Sequence, residues 1–293
     1  MDIEKRIAVL IDADNVSYKY IKPILNELSK YGIPTYKRIY SDWTKPEMGS
    51  WKSLLLTYSI TPVQQYSYTS GKNATDSALI IDAMDILYTG HVDSFCIVSS
   101  DSDFTRLAAR LREAGRQVIG MGEKKTPQPF ISACEVFKYL EVLVSDEVLA
   151  ADEEEAGNGA GAKGSKNLAL AEAAAQSNIA SREEIVKVIR KIVEDTSEED
   201  GWAFLGMVGS VLNKQQPDFD SRNYGYPKLT QFVKSLGAFD IEHRATNNPS
   251  VKHTYIRNKD GEAAPAKQDK PAKPIGKLTF RQSKQSKAAA KRK

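Results

Sequence analysis

Apolar positions along the first half of the chain switch between a continuous run, an alternating period and a helical period. Ile7-Ala8-Val9-Leu10-Ile11 is continuous, as in a strand buried on both faces, and predicts a first strand over 7–15 that ends in Asp12, Asp14 and Asn15. Tyr18 to Tyr31 then follows helical spacing and stops at Gly32, a C-cap signal. A strand over Ile33 to Tyr40, a helix over Ser50 to Tyr58 and an alternating strand over Pro62 to Tyr68 come next. Gly71-Lys72-Asn73 reads as a loop before an amphipathic helix, Ala74 to Tyr88, that opens with Thr75 and Asp76. A short apolar strand at 94–99 leads through Ser99-Ser100-Asp101-Ser102-Asp103-Phe104 into a helix ending near Ala114, with Ser102 or Asp103 as its cap. Gly115 turns the chain into a strand from Gln117 to Met121. Such alternation predicts an α/β domain of three layers, with a mostly parallel sheet covered on both faces.

The pattern changes near Asp146. Ala151 to Ser177 is rich in Ala, Gly and Glu and reads as a flexible linker, with a short helical piece at Leu168 to Ala175. Helical patterns then cover Glu183 to Glu194, Trp202 to Asn213 and Pro227 to Leu236, followed by strands near Phe239 to Glu242 and His253 to Arg257. Three small helices and a hairpin outline a winged helix-turn-helix. The predicted organisation is therefore a domain over 1–146, a linker over 147–180, a second domain over 181–257 and a disordered basic tail over 258–293. A linker of that composition points to a tether, not to rigid coupling of the two domains.

Composition narrows the picture. Of 293 residues, 41% are hydrophobic and 9% aromatic, enough for two real cores. Cys96 and Cys134 lie in apolar segments without a CxxC or Cys/His cluster, which argues against zinc and for reduced core cysteines. No apolar run approaches a membrane span, and the N-terminus lacks a signal-peptide plan, so a cytoplasmic protein is expected. The net charge of +3 hides an asymmetry: residues 259–293 carry eleven Lys or Arg against three acids, a net +8, which leaves −5 for the rest.

Asp12, Asp14, Asp76, Asp101 and Asp103 all fall at strand ends or helix starts on one side of the predicted sheet, where open α/β folds bind ligands. Two bare carboxylates about 4 Å apart repel by ~4 kcal/mol at an effective dielectric of 20. A cluster of them requires protonation or a hard cation, and oxygen-only ligation points to Mg²⁺ or Mn²⁺. Asp82 on the long helix points roughly 120° away from Asp76 and is supporting at best. Taken singly, Asp101 and Asp103 could equally serve as a turn residue and a cap.

Ile11-Asp12-Ala13-Asp14-Asn15, Lys72-Asn73-Ala74-Thr75-Asp76-Ser77-Ala78-Leu79 and Ser99-Ser100-Asp101-Ser102-Asp103-Phe104 together resemble the NYN domain, a PIN-like nuclease family. The resemblance implies a metal-dependent ribonuclease that cuts single-stranded RNA and leaves 5′-phosphate and 3′-hydroxyl ends. It implies metal ligation and catalysis by Asp12, Asp76, Asp101 and Asp103, with Asp103 either supporting the metal or orienting the water. Asn15 would touch substrate or fix Asp12, Lys72 and Ser100 would meet the substrate, and Asp14 and Asp82 would support. Asn73-Ala74-Thr75 departs from the glycine and apolar residue more usual before the helix Asp. Asp12-Ala13-Asp14-Asn15-Val16 also fits the first motif of haloacid-dehalogenase-like phosphatases, but Asp101-Ser102-Asp103 has the wrong spacing for their later acid pair.

Gly201-Trp202-Ala203-Phe204-Leu205, Val208-Gly209 and Pro217 to Tyr226 resemble the OST-HTH or LOTUS domain. Trp202, Leu205, Val208 and Leu212 read as one apolar helical stripe, with Phe219 and Tyr224 pinning the turn. The resemblance implies binding of RNA, structured or G-rich, or a protein contact. Lys214, Arg222, Lys228, Lys234, Arg244 and Lys252, with His253, are the residues expected to meet RNA. The chain thus reads as an endoribonuclease with an RNA-recognition domain. The alternatives are a non-catalytic RNA-binding adaptor on the same fold and a phosphatase.

Overall fold

The computed structural model describes residues 4–66, 74–144, 179–245 and 252–259. Lys72, most of the expected linker and the tail beyond Lys259 lie outside the described residues. Residues Met1–Lys259 form one compact unit that holds both folded domains.

Six parallel strands make the first sheet: β1 (Arg6–Asp12), β2 (Ile33–Ser41), β3 (Thr61–Gln64), β4 (Ser94–Val98), β5 (Gln117–Gly122) and β6 (Val136–Tyr139), in the order β3-β2-β1-β4-β5-β6. β1 and β4 are neighbours from which the chain winds outward in opposite directions. That junction is the topological switch point, where such sheets open a crevice at their carboxyl ends.

Alternation along β1 divides two cores. Ala8 and Leu10 pack with Phe95 and Ile97 beneath α3 (Ala74–Thr89), α4 (Thr105–Glu113) and α5 (Gln128–Ala133). Ile7, Val9 and Ile11 pack with Cys96 and Val98 beneath α1 (Ile21–Leu28). Burial on both faces explains why β1 and β4 read as unbroken apolar runs. Asp12 continues the Ala8–Leu10 side and so emerges under α3, which brings Asp76.

The strand at the N-terminus stops at Asp12, not at Asn15; the Asn15 amide bonds back to the Asp12 carbonyl as a turn. α5 and β6 were not anticipated. α1 is shorter than its apolar pattern, being preceded by a 3₁₀ turn at Tyr18–Tyr20. A second 3₁₀ turn, Pro46–Trp51, precedes α2 (Lys52–Thr57).

In the second domain α6 (Arg182–Thr196), α7 (Leu205–Gln215) and α8 (Leu229–Leu236) surround one core with β7 (Ala203–Phe204), β8 (Phe239–Ala245) and β9 (Lys252–Asn258). Ser181 and Glu184 form a full capping box at the start of α6. The three strands are antiparallel in the order β7-β9-β8. Trp202 precedes β7 and is not on the helix. It lies against Arg244 and Arg257, 5.6 and 4.8 Å from its ring centroid. The helical stripe expected from Trp202 therefore begins at Leu205.

Candidate functional site

β1 delivers Asp12 fully buried at its last position. Three groups hold its carboxylate: the Asn15 amide donates to Oδ2 at 2.7 Å, the Ser99 hydroxyl to Oδ2 at 2.8 Å and the Asp14 N–H to Oδ1 at 3.1 Å. Burial nevertheless raises its pKa, the Asn15 and Ser99 bonds opposing and the Asp14 charge adding.

Ser99 faces both ways, since its oxygen also accepts the Asp101 N–H at 3.1 Å. It thereby links the end of β1 to the loop after β4. Gly122 lets β5 pass close beneath: a Cβ there would stand 2.6 Å from the Ser99 carbonyl oxygen. Asp101 caps the 3₁₀ turn Ser102–Phe104, accepting the Asp103 N–H at 2.9 Å. The cap is thus Asp101, not Ser102 or Asp103.

Asp76 comes from the first turn of α3. Asp76, Asp101 and Asp103 each offer a carboxylate oxygen, and these oxygens lie within 4.8 Å of one another. Burial and the charges of Asp12, Asp101, Asp103 and Asp14 push the Asp76 pKa up to about 6. Beside the trio, Lys45 pairs with Asp14 at 3.6 Å. Asp14 also accepts the Ser41 hydroxyl at 3.0 Å.

Two expected residues are placed elsewhere. The Ser100 hydroxyl is buried and accepts the Glu123 N–H at 2.9 Å, tying the loop to β5 instead of facing a substrate. Asp82 accepts from Arg38 and the buried Tyr40 hydroxyl on β2, away from the trio. Ser99 and Lys45 belong to the site and carried no role in the sequence reading. A serine after a strand has no distinguishing spacing, and Lys45 meets Asp14 only once β1 and β2 are paired.

In the second domain Lys214, Lys228, Lys234 and Lys252 are exposed. Arg244 stacks on Tyr255 at 4.5 Å and pairs with Asp200 at 2.9 Å and Glu242 at 3.3 Å. His253 stacks on Phe204 at 4.9 Å. Arg222 is not on an open face: it lies half-buried against Asp220 and against Glu27 of α1.

Comparison with known families finds the NYN domain over residues 6–141 and the OST-HTH/LOTUS domain over 179–251. No curated protein matches the chain. Among solved structures, a protein of unknown function from Vibrio parahaemolyticus RIMD 2210633 is 20% identical, over 47% of this chain and 93% of that one, with a TM-score of 0.40. An uncharacterized protein from Nitrosomonas europaea is 30% identical, over 38% of this chain and 97% of that one, with a TM-score of 0.26. A segment of a protein from Chromobacterium violaceum is 31% identical, over 28% of this chain and 88% of that one, with a TM-score of 0.22. Among the described residues no helix is long and apolar enough to cross a membrane. The chain thus carries an NYN domain followed by an OST-HTH/LOTUS domain, in that order.

Proposed function

We propose that this protein is a divalent-metal-dependent endoribonuclease acting on single-stranded RNA, with its second domain selecting the RNA. The observation that carries the reading is the convergence of Asp76, Asp101 and Asp103 at the switch point of an NYN fold. Their chemistry fits a hard cation: three carboxylates, no sulfur or imidazole among them, and an Asp76 whose ionisation is resisted by burial and by the neighbouring acids. Mg²⁺ or Mn²⁺ would be held by these three, and when bound it supplies charge neutralisation at phosphate and an acidified water. Asp12 braces the loop that carries Asp101 through Ser99, and Asp103, the exposed member of the trio, would orient an incoming water. A buried Asp12 with both oxygens engaged suits bracing better than the nucleophilic role a phosphatase would ask of it.

The test is cleavage of end-labelled, unstructured RNA by purified protein with Mg²⁺, with Mn²⁺ and with excess chelator. Cuts inside the chain that appear with either metal and vanish with chelator are expected, leaving 5′-phosphates. RNA bound but never cut in either metal would make the protein an adaptor instead.

A further inference from the structure

The turn from Pro217 to Tyr224 carries Arg222, which sequence alone assigned to RNA. Its partners are protein. β6 is the edge strand of the six-stranded sheet, and the Phe137 N–H on its open side donates to the Pro217 carbonyl at 2.8 Å. On either side of that bond the Tyr139 hydroxyl donates to Asp218 at 3.0 Å and the Lys138 ammonium to Asp220 at 2.6 Å. Arg222 completes the contact, its two terminal nitrogens meeting the two Glu27 oxygens at 3.1 Å each while the fork also holds Asp220.

The covered charges Glu27, Arg222, Asp220 and Lys138 alternate in sign and sum to zero, and an exposed Lys30 meets Glu27 from outside at 2.6 Å. The four covered side chains are only 5, 14, 11 and 12% exposed. Charges so covered contribute orientation more than affinity, because desolvation offsets much of the attraction. They also suit surfaces that can part and be wetted. A cavity of about 170 Å³, lined in part by Lys138, Phe219 and Leu229, is left beside them. The bond from Phe137 covers a sheet edge that would otherwise invite pairing with another chain.

We propose that the Pro217–Tyr224 turn is a protein-docking element whose partner is the β6 edge and α1 of the nuclease domain, and that it holds the two domains as one body. Given the ribonuclease reading above, RNA held by the second domain is then cut at a fixed offset, whatever the length of the segment between domains.

The experiment uses the full chain. Glu27→Gln with Lys138→Met removes the two covered nuclease-side charges, leaving only the exposed Lys30, and leaves the Arg222–Asp220 pair neutral within the second domain, so each domain keeps its own core. Amide hydrogen exchange then reads the dock without any RNA. In the native chain the Phe137 amide is expected to be protected; in the double variant it should exchange at least about tenfold faster. Amides of β4 and β5 should be unchanged. Tyr139→Phe, which removes the hydrogen bond to the Asp218 carboxylate but no charge, should loosen the same amide to a smaller degree. Equal exchange of Phe137 in native and variant chains overturns the dock, as does loss of its protection when RNA is added. For the offset, ten Gly/Ser residues inserted within 151–177 should leave the cut positions unmoved, whereas the double variant should scatter them. Cut positions that move with the insertion overturn the fixed offset. A chain that cuts no RNA at all fails as a nuclease, while Phe137 exchange still decides the dock.

Discussion

Ser99 is the residue on which the acidic site turns, because one hydroxyl holds the Asp12 carboxylate and the Asp101 backbone together. Ser99→Ala removes a buried bond to a charged group, and with it about 1.5–3 kcal/mol of local order. Cleavage should fall by about tenfold or more while the fold persists, checked by kcat at saturating metal beside the circular dichroism spectrum. Asp101→Asn should abolish cleavage and leave RNA binding intact. Asp82→Asn should instead lower stability, by about 1–2 kcal/mol through Arg38 and Tyr40, and cost far less activity. Asp76 gives a pH signature. Its folded pKa, about 6, lies above the ordinary aspartate value of 3.8, so the native state favours the protonated carboxyl. The corresponding stability is present in full below about pH 4 and is lost as pH rises through 6. Metal-free protein should therefore melt lower at pH 7 than at pH 5, and Asp76→Asn should flatten that difference. A melting curve with the same pH dependence in both proteins would place the strained charge elsewhere. The acids of the trio were legible because strand end and helix start fix where a carboxylate emerges. Ser99 and Lys45 were not, since their roles exist only across paired strands.

At the scale of elements, β1 and β4 were legible for the same reason they are central: burial on both faces forces an unbroken apolar run. β6 and α5 were missed because four strand residues and six helical ones hold too few apolar positions to show a period; β3 and α2, equally short, were read only as parts of longer patterns over 62–68 and 50–58. Trp202 misled in a different way. Its spacing to Leu205, Val208 and Leu212 mimics a helical stripe, yet it shares the outer face of the wing sheet with Phe204, Tyr255, Arg244 and Arg257. The difference is measurable. A core tryptophan cut to alanine costs about 3–5 kcal/mol. On this face Trp202→Ala loses two partly exposed cation–π contacts, each about 0.5–1 kcal/mol. Denaturant unfolding should register a loss of about 1–2 kcal/mol, with exchange quickening at β7 and β9 before α7. A loss in the core range would return Trp202 to the helix.

For the whole molecule, the sequence suggested a tether and the proposed dock adds a clasp, which the sequence could not show. The composition of a connecting segment sets its own stiffness but says nothing of whether the surfaces at its ends fit. Nothing in the sequence marks Glu27 or Lys138, because only the fold brings Arg222 and Asp220 to them, 195 and 82 residues away in sequence. What the sequence did expose is the partition of charge. Residues 260–293 carry ten Lys or Arg against three acids, a net +7, so the preceding 259 residues carry −4 in a chain of +3. An acidic folded unit that handles RNA needs its phosphate attraction from somewhere, and the C-terminal stretch is the largest source. Lysines and arginines there would act by releasing counterions, each neutralised phosphate adding about 0.7 to the slope of log affinity against log salt on a single strand. Truncation after Lys259 keeps that residue's bonds to the Gly237 and Ala238 carbonyls, and so keeps the folded unit whole. The truncated chain should bind unstructured RNA more weakly at low salt, with a slope shallower by up to about 7. Its order of preference among RNA sequences should not change, because phosphate contacts carry no sequence information. Affinities at four or more salt concentrations, on one unstructured and one G-rich RNA, give both quantities in one series. An unchanged slope would move the phosphate contacts onto the exposed Lys214, Lys228, Lys234 and Lys252, and a changed order of preference would make the C-terminal stretch a reader of sequence.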